Sequence, residues 1–334
     1  MTARIVYSDD SGPGITRRKL SHGWSYWGPD GARVADRDQI DRLNAIGLPP
    51  AYRDGWFNPD PRGHIQAVGR DARGRKQYRY HPDFRAAREA EKYDGCAGFG
   101  RALPKLRARV EADLRRPALS REKAVAAVVR LLDLGRLRVG NEGYARTNKS
   151  FGATTLRKRH AALAGSTLRL QFRAKSGKMR RLTITDRSLA RFVRRCHDLP
   201  GQHLFAWLDA AGEAHPVTSG DVNDYIRAAT GADFTAKHFR TWGASVIAFT
   251  ALVEADGDIG LKAMLEPVTA ILGNTPAIAR KSYVHPTLIT LAASRDQAAL
   301  RARALPRVTR YLSRAERALI ELLENSPPTG HKHS

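Results

Sequence analysis

Residues 167–184 read Thr167-Leu-Arg-Leu-Gln-Phe-Arg-Ala-Lys175-Ser-Gly-Lys-Met-Arg-Arg-Leu-Thr-Ile184, and their period is two. Leu168, Leu170 and Phe172 face one way; Thr167, Arg169, Gln171 and Arg173 face the other. Lys175-Ser176-Gly177-Lys178 supplies the turn, and Leu182 and Ile184 continue a return strand. A hairpin is therefore expected here, inside a half of the chain that otherwise reads as helix.

Working outward, the period changes to that of a helix on both sides. Before the hairpin, Leu106, Val110 and Leu114 recur at helical spacing, and a second helix is expected from Ser120, through Val125, Val128, Val129 and Leu132, to Gly135. After it, helices are expected over 186–199, 219–230, 236–253 and 267–272, the last capped by Gly273. Thr275-Pro276 reads as an N-cap with proline at the first helical position, opening a short helix that carries Tyr283 near its end and stops before Pro286. A final helix is expected over 313–323. Upstream of Pro82 the texture differs. Turn signals such as Gly28-Pro29-Asp30-Gly31 and Asn58-Pro59-Asp60-Pro61 separate short alternating stretches such as His64-Ile65-Gln66-Ala67-Val68, with one helix near 37–46. The reading is α+β: a small β-rich N-terminal domain (1–84) and a larger, mostly α-helical domain (85–324) that carries a β-hairpin. Residues 325–334 read as a disordered tail.

Composition narrows the partner. The chain has 334 residues, 57 Lys and Arg against 33 Asp and Glu, and a net charge of +24 with histidine neutral. Such an excess repels itself unless a polyanion binds, and each phosphate neutralised releases condensed counterions. Nucleic acid fits. No apolar run is long enough to span a bilayer, and no basic amphipathic helix or lipid anchor stands out. The N-terminus lacks an apolar signal core, and two cysteines, Cys96 and Cys196, make no disulfide framework; both point to a reducing cytoplasm. Cys196-His197 with His203 lacks a second ligand pair at zinc spacing, and Glu254-Ala-Asp256-Gly-Asp258 reads as a solvated acidic loop, so no metal is expected.

Five segments carry candidate chemistry. Gly69 to Gly74 has the glycine spacing of a phosphate loop, but Arg75 stands where lysine belongs, no Ser or Thr follows, and a strand-like stretch comes next rather than a helix. A basic turn before a strand suits DNA better: Arg70, Arg75 and Lys76 for phosphates, Gln77, Tyr78 and Tyr80 for base edges or sugars. Arg138, just past a helix end in Arg136-Leu137-Arg138-Val139-Gly140, can aim a guanidinium at a phosphate. Lys175 or Lys178 on the hairpin can be inserted into a groove as a proton donor. Lys237 and Arg240 share a helix face. Asn274 precedes Tyr283 by nine residues. Taken one at a time, none departs from what solvated charge or packing would give.

In order, they resemble the type IB DNA topoisomerases, specifically the compact bacterial and poxvirus kind. That family's series of Arg, hairpin Lys, Lys-x-x-Arg, His or Asn, and Tyr falls on Arg138, Lys175, Lys237 with Arg240, Asn274 and Tyr283. The Gly69–Tyr80 segment and Thr154-Thr155-Leu156-Arg157 are similar to its DNA-contacting stretches, and the likeness runs from about Gly23 to Pro286. The resemblance implies relaxation of supercoiled duplex DNA through a 3′-phosphotyrosine at Tyr283, without ATP, metal or other cofactor. Arg138, Arg240 and Asn274 would hold the phosphate, Lys175 would protonate the leaving oxygen, and Lys237 would support phosphate binding or proton transfer. Gln77, Tyr78, Tyr80 and Tyr144 would touch the duplex. Asn274 stands where poxvirus members carry histidine, so it adds a donor but no charge. A monomer with double-stranded DNA as its partner, no obligate protein partner, and a cytoplasmic, nucleoid-associated location are expected. Two rivals remain. A tyrosine recombinase shares the chemistry but usually carries His-x-x-Arg where this chain has Lys237-His238-Phe239-Arg240, and tends to a helical N-terminal domain. A non-catalytic basic DNA-binding protein leaves the ordered series unexplained.

Overall fold

The computed structural model describes residues 4–326, so the expected tail lies almost wholly outside the described residues. The chain forms two compact units, Met1–Lys92 and Tyr93–Ser334. The division falls eight residues beyond the expected one, inside a continuous helix.

The first unit is a five-stranded antiparallel sheet with one helix. Its strands are β1 (Ile15–Lys19), β2 (Trp24–Trp27), β3 (Arg53–Phe57), β4 (Ile65–Arg70) and β5 (Lys76–Tyr80), in the order β2-β1-β3-β4-β5. Helix α1 (Arg37–Ala45) starts where the Asp36 carboxylate accepts from the Asp38 and Gln39 amides. Ile15, Tyr26, Leu43, Leu48, Phe57 and Ala67 form its core, with Tyr26 edge-on to Phe57 at 5.4 Å. The Arg17 guanidinium donates to the carbonyls of Leu48, Pro49 and Tyr52 and lies 3.9 Å over the Trp24 ring, which ties the α1–β3 loop to the sheet.

The second unit is mainly helical. Helix α2 (Pro82–Arg115) enters it, followed by α3 (Arg121–Gly135), α4 (Glu142–Asn148), β6 (Ala161–Ala164), β7 (Thr167–Arg173), β8 (Met179–Thr185) and α5 (Arg187–His197). A small hairpin, β9 (Ala206–Leu208) and β10 (Ala214–Pro216), precedes α6 (Ser219–Thr230), α7 (Ala236–Val253), α8 (Leu261–Leu272), α9 (Pro276–Ser282), α10 (Pro286–Ser294), α11 (Ala298–Arg301) and α12 (Arg314–Glu324). Strands β6, β7 and β8 form one antiparallel sheet, and Leu168, Leu170 and Phe172 are all buried, as their alternation requires. Helices α3 and α7 run through the core with Val125, Val128, Leu132, Phe239, Ala244, Ala248 and Phe249 buried.

Two expectations need correction. Helix α8 begins at Leu261, not at Pro267: Leu261-Lys-Ala-Met-Leu-Glu266 are good helix formers, and the proline is accommodated inside the helix. Pro286 does not merely stop a helix; it is the first residue of α10. A buried ion cluster joins four helices. Arg107 donates to Asp133 through two nitrogens at 2.8 Å each and to Glu316 at 2.8 Å, while Trp242 Nε1 donates to the same Glu316 carboxylate at 3.3 Å. Each buried charge there has an opposite charge with matched geometry, the condition for keeping an ion pair inside a core.

Candidate active site

Four stretches meet in the second unit, three of them far apart in sequence and the last two adjoining. The first follows α3. Arg136 closes that helix with a left-handed backbone (φ 50°), and the chain then crosses residues 152–155 at close range. The Arg138 carbonyl accepts from Ala153 N at 2.9 Å, and the Val139 carbonyl from Thr154 N at 2.7 Å and Thr154 Oγ1 at 3.0 Å. A β-carbon on Gly152 would stand 2.6 Å from Gly140 Cα, so only glycine permits the crossing. Thr154 therefore braces the loop that carries Arg138.

The second stretch is α7. Arg240, 4% exposed, sits in its second turn. Its Nη1 donates to the Arg136 carbonyl at 2.5 Å and its Nη2 to the Leu272 carbonyl at 3.4 Å. The third stretch is the end of α8, where Gly273 takes a left-handed backbone (φ 68°) and turns the chain into Asn274. The fourth is α9. Thr275 Oγ1 accepts from Ile278 N, Pro276 fills the first position, and Tyr283 closes the helix, its N–H donating to the Ala279 carbonyl at 3.1 Å.

Arg138 Nη2 donates to Asn274 Oδ1 at 3.2 Å and to the Tyr283 hydroxyl at 3.4 Å. An arginine has only donors, so the Asn274 atom facing it is the oxygen, and the amide nitrogen points elsewhere. The Arg240 guanidinium carbon lies 4.7 Å from the centre of the Tyr283 ring. Burial pushes the Tyr283 phenol up; Arg240 and Arg138 together pull it further down, so the net direction is below the ordinary value of 10. Two buried donors, Arg240 Nε and Asn274 Nδ2, have no hydrogen-bond partner among the described residues. No carboxylate pairs with Arg138 or Arg240 among those residues. Two guanidinia gathered beside a phenol, with donors left over and no counter-charge, form a site for an anionic oxygen cluster such as a phosphodiester.

The segment after Tyr283 is held from below. Ser245 Oγ accepts from His285 N at 3.0 Å and donates to the Thr241 carbonyl at 2.9 Å. His285 caps α10 by accepting from Thr287 N, and the Tyr93 ring stands edge-on to it at 5.5 Å. Burial pushes the His285 imidazole down to about 4 from an ordinary 6.5. Below pH 6.5 the unfolded chain takes up a proton that the folded chain refuses, so stability falls as pH drops from 6.5 towards 4. His285→Asn keeps a capping acceptor and does not titrate in this window. Comparing urea midpoints at pH 6.5 and 4.5, we expect the variant's acid loss to be smaller than the wild type's by about 2–3 kcal/mol; equal losses would remove His285 as a source of acid sensitivity.

The remaining expected residues lie elsewhere. Lys175 opens the turn between β7 and β8, and Lys178 follows it; both are exposed. Ser176 in that turn has a left-handed backbone (φ 65°). Lys237 is exposed in the first turn of α7, and Tyr144, 52% exposed, is on α4. In the first unit, Gly69 and Gly74 belong to the β4–β5 hairpin and not to a phosphate loop. There Asp71 accepts from the Arg73 and Arg75 amides, Arg75 Nε and Gln77 Nε2, while Arg70 Nη1 donates to the Gly74 carbonyl and Lys76 pairs with Asp10 at 2.7 Å. Tyr78 and Tyr80 are exposed on one face of β5 with rings stacked at 5.9 Å. Cys196 is buried and donates to the Ala206 carbonyl, and His203 turns to Arg157 and Glu142. Among the described residues, three potential metal ligands come together only at Asp209, Glu213 and His215 on the β9–β10 hairpin, where His215 Nε2 lies 2.7 Å from Asp209 Oδ2. Sequence reasoning missed Arg136, whose carbonyl orients Arg240, and Ser245; neither residue type nor spacing marks them.

Residues 81–299 match the family described as the eukaryotic DNA topoisomerase I catalytic core, and residues 23–71 the bacterial DNA topoisomerase IB N-terminal domain. The chain is 32% identical over 244 residues to DNA topoisomerase 1B of Acanthamoeba polyphaga mimivirus, covering 72% of this chain and 73% of that protein. Among solved structures, the site-specific recombinase XerH bound to its difH substrate matches 55% of this chain at 14% identity and a TM-score of 0.36, and a post-cleavage complex of the same recombinase matches 60% at 0.37. The chain spans about half the length of those recombinase chains. No helix among the described residues is long and apolar enough to cross a membrane.

Proposed function

The chain belongs to the type IB DNA topoisomerases, and from that premise we propose that Tyr283 is the residue that cuts and reseals one strand of the duplex. The observation that carries this reading is the convergence of Arg138, Arg240 and Asn274 on the phenol from separate parts of the chain.

The Tyr283 oxygen attacks the scissile phosphorus. A bond forms between phenol oxygen and phosphorus, and the bond to the 5′-oxygen breaks, leaving a 3′-phosphotyrosine and a 5′-hydroxyl. The phosphodiester energy is kept in the new ester, so religation needs no ATP. Negative charge gathers on the non-bridging oxygens in the transition state. Arg138 and Arg240 meet it with fixed cationic donors and Asn274 Nδ2 with a neutral one, none of which has to reorganise. The two guanidinia also favour the phenolate that attack requires. Lys175 protonates the departing 5′-oxygen, and Lys237 supports phosphate binding from the start of α7. While the strand is open, its free end turns about the intact strand and supercoils are lost. The N-terminal unit clamps the duplex through Arg70, Arg75 and Lys76 on phosphates and Gln77, Tyr78 and Tyr80 on sugars or base edges, and Tyr144 adds a contact from α4. The stacked, exposed tyrosines of β5 and the excess of 57 basic over 33 acidic residues support that role. The enzyme works as a monomer on double-stranded DNA, in the cytoplasm with the nucleoid.

The test is relaxation of negatively supercoiled plasmid by the purified chain in EDTA without ATP. Linking number is expected to change, and denaturation during the reaction is expected to trap protein on the 3′ side of a nick. A shift in plasmid mobility with no change in linking number, or strand exchange between two sites without relaxation, would defeat the reading.

A further inference from the structure

Arg180 stands beside this site and has no part in the mechanism above. It lies in β8, directly across from Phe172 of β7 and five residues after Lys175, so it belongs to the hairpin that carries the proposed acid. Its Nη2 donates to the Ile271 carbonyl, and its Nη1 is 3.5 Å from where a β-carbon on Gly273 would stand. The next carbonyl, that of Leu272, receives Arg240. Two successive carbonyls in the last turn of α8 therefore hold one guanidinium from the hairpin and one from α7. A helix C-terminus leaves its last carbonyls without intrahelical partners and carries partial negative charge, so it can anchor cations where a carboxylate would repel phosphate. Among the described residues no carboxylate pairs with Arg180. Burial, and then the nearby Arg138, both push the Arg180 guanidinium's pKa down, which places it close to the catalytic arginines. It stays charged all the same.

We propose that Arg180 is a positioning residue: it pins the hairpin bearing Lys175 to the helix end that presents Asn274, so that acid and phosphate-binding groups are held as one unit. The proposal rests on the reading of Lys175 as the acid. The rest of the hairpin turn is exposed, with Lys175, Ser176, Gly177 and Lys178 all open to solvent. Arg180 fastens the strand that follows that turn to α8, and loss of such a fastening by about 1 Å is enough to cost roughly a hundredfold in rate.

The experiment is single-turnover cleavage by the full chain of a duplex carrying one cleavage site mapped beforehand on the wild type. Arg180→Ala is expected to slow cleavage by about 10- to 100-fold with duplex affinity nearly unchanged, and Arg180→Lys, which still offers a donor, to recover part of that loss. The deciding readout is coupling. Added to Lys175→Ala, the Arg180→Ala change is expected to cost less than about twofold, because an acid that is absent cannot be misplaced. A wild-type rate for Arg180→Ala, or losses that multiply in the double variant, overturns the proposal; multiplication would mean that Arg180 acts on the phosphate by itself. Should Arg180→Ala fail to fold, Arg180→Lys with and without Lys175→Ala must show the same coupling at smaller amplitude, and its absence overturns the proposal equally. A 5′-bridging phosphorothiolate at the site separates this result from the underlying reading. It should restore cleavage by Lys175→Ala, since sulfur leaves without an acid. If it does not, the acid assignment fails, whereas the coupling between positions 180 and 175 is still decided by the double variant.

Discussion

Tyr283→Phe is expected to abolish plasmid relaxation and covalent capture while leaving duplex affinity nearly intact. The change removes one oxygen. The ring keeps its place under the Arg240 guanidinium, 4.7 Å away, and Val284 and His285 stay anchored by α9 and Ser245. The hydrogen bond that Arg138 donates to the phenol at 3.4 Å is lost, and it is too long to contribute much to stability. The lost oxygen is the nucleophile, and no other group can form the ester. Removing a covalent nucleophile costs on the order of 10⁵-fold or more, against an ordinary stability loss near 1 kcal/mol. The assay pairs a linking-number gel with filter binding of the same plasmid at matched salt. Relaxation by the phenylalanine variant at more than a trace level would mean that another side chain carries the DNA, and it would unseat Tyr283. Loss of affinity together with activity would point instead to a damaged fold.

Much of the scaffold around Tyr283 could be read from local chemistry. Helices α3, α6 and α7 begin behind Ser120, Thr218 and Thr235, and β7 declares itself through Leu168, Leu170 and Phe172 on one face. What escaped has physical causes. The unbroken run of α2 passes through Gly95, Gly98, Gly100 and Pro104, residues that read as punctuation. The structure shows why glycine stands at 100: a β-carbon there would lie 2.4 Å from Trp242, so α2 and α7 could not approach so closely with a larger residue. The start of α8 was hidden by Pro267 in the same way. The short strands β6, β9 and β10 have too few residues to show a period.

At the site, order in the sequence picked out Arg138, Arg240, Asn274 and Tyr283, but it could not show that they meet. Their meeting depends on two features that leave no pattern. One is the crossing of Gly140 and Gly152, and the other is the end of α8, whose Leu272 carbonyl orients Arg240. Arg180 was invisible for a related reason. In Arg180-Arg181 nothing distinguishes an anchored arginine from a solvated one until α8 is folded against the strand.

Asn274→Asp decides which end of the Asn274 side chain matters, and it is expected to be more damaging than Asn274→Ala. The Oδ1 atom accepts from Arg138 at 3.2 Å, whereas Nδ2 is buried with no partner among the described residues. If the chemistry uses Nδ2 as a donor to a non-bridging oxygen, alanine loses that donor, at a cost of about 10²–10³ in rate. Aspartate has nearly the same shape and would accept from Arg138 at least as well as the amide does. It nevertheless places an acceptor and a negative charge where the phosphate gathers charge, and it neutralises part of Arg138. Juxtaposed like charges cost several kcal/mol, so the total loss should reach roughly 10⁴-fold or more. Histidine at this position would supply a donor that can also carry charge, which is why the poxvirus pattern and the amide differ in kind as well as in strength. Single-turnover cleavage rates of the wild type, Asn274→Ala and Asn274→Asp settle the order. Aspartate slower than alanine assigns the work to Nδ2. Aspartate close to wild type would mean that Asn274 serves only to hold Arg138 through Oδ1, and the neutral donor would have to be removed from the mechanism.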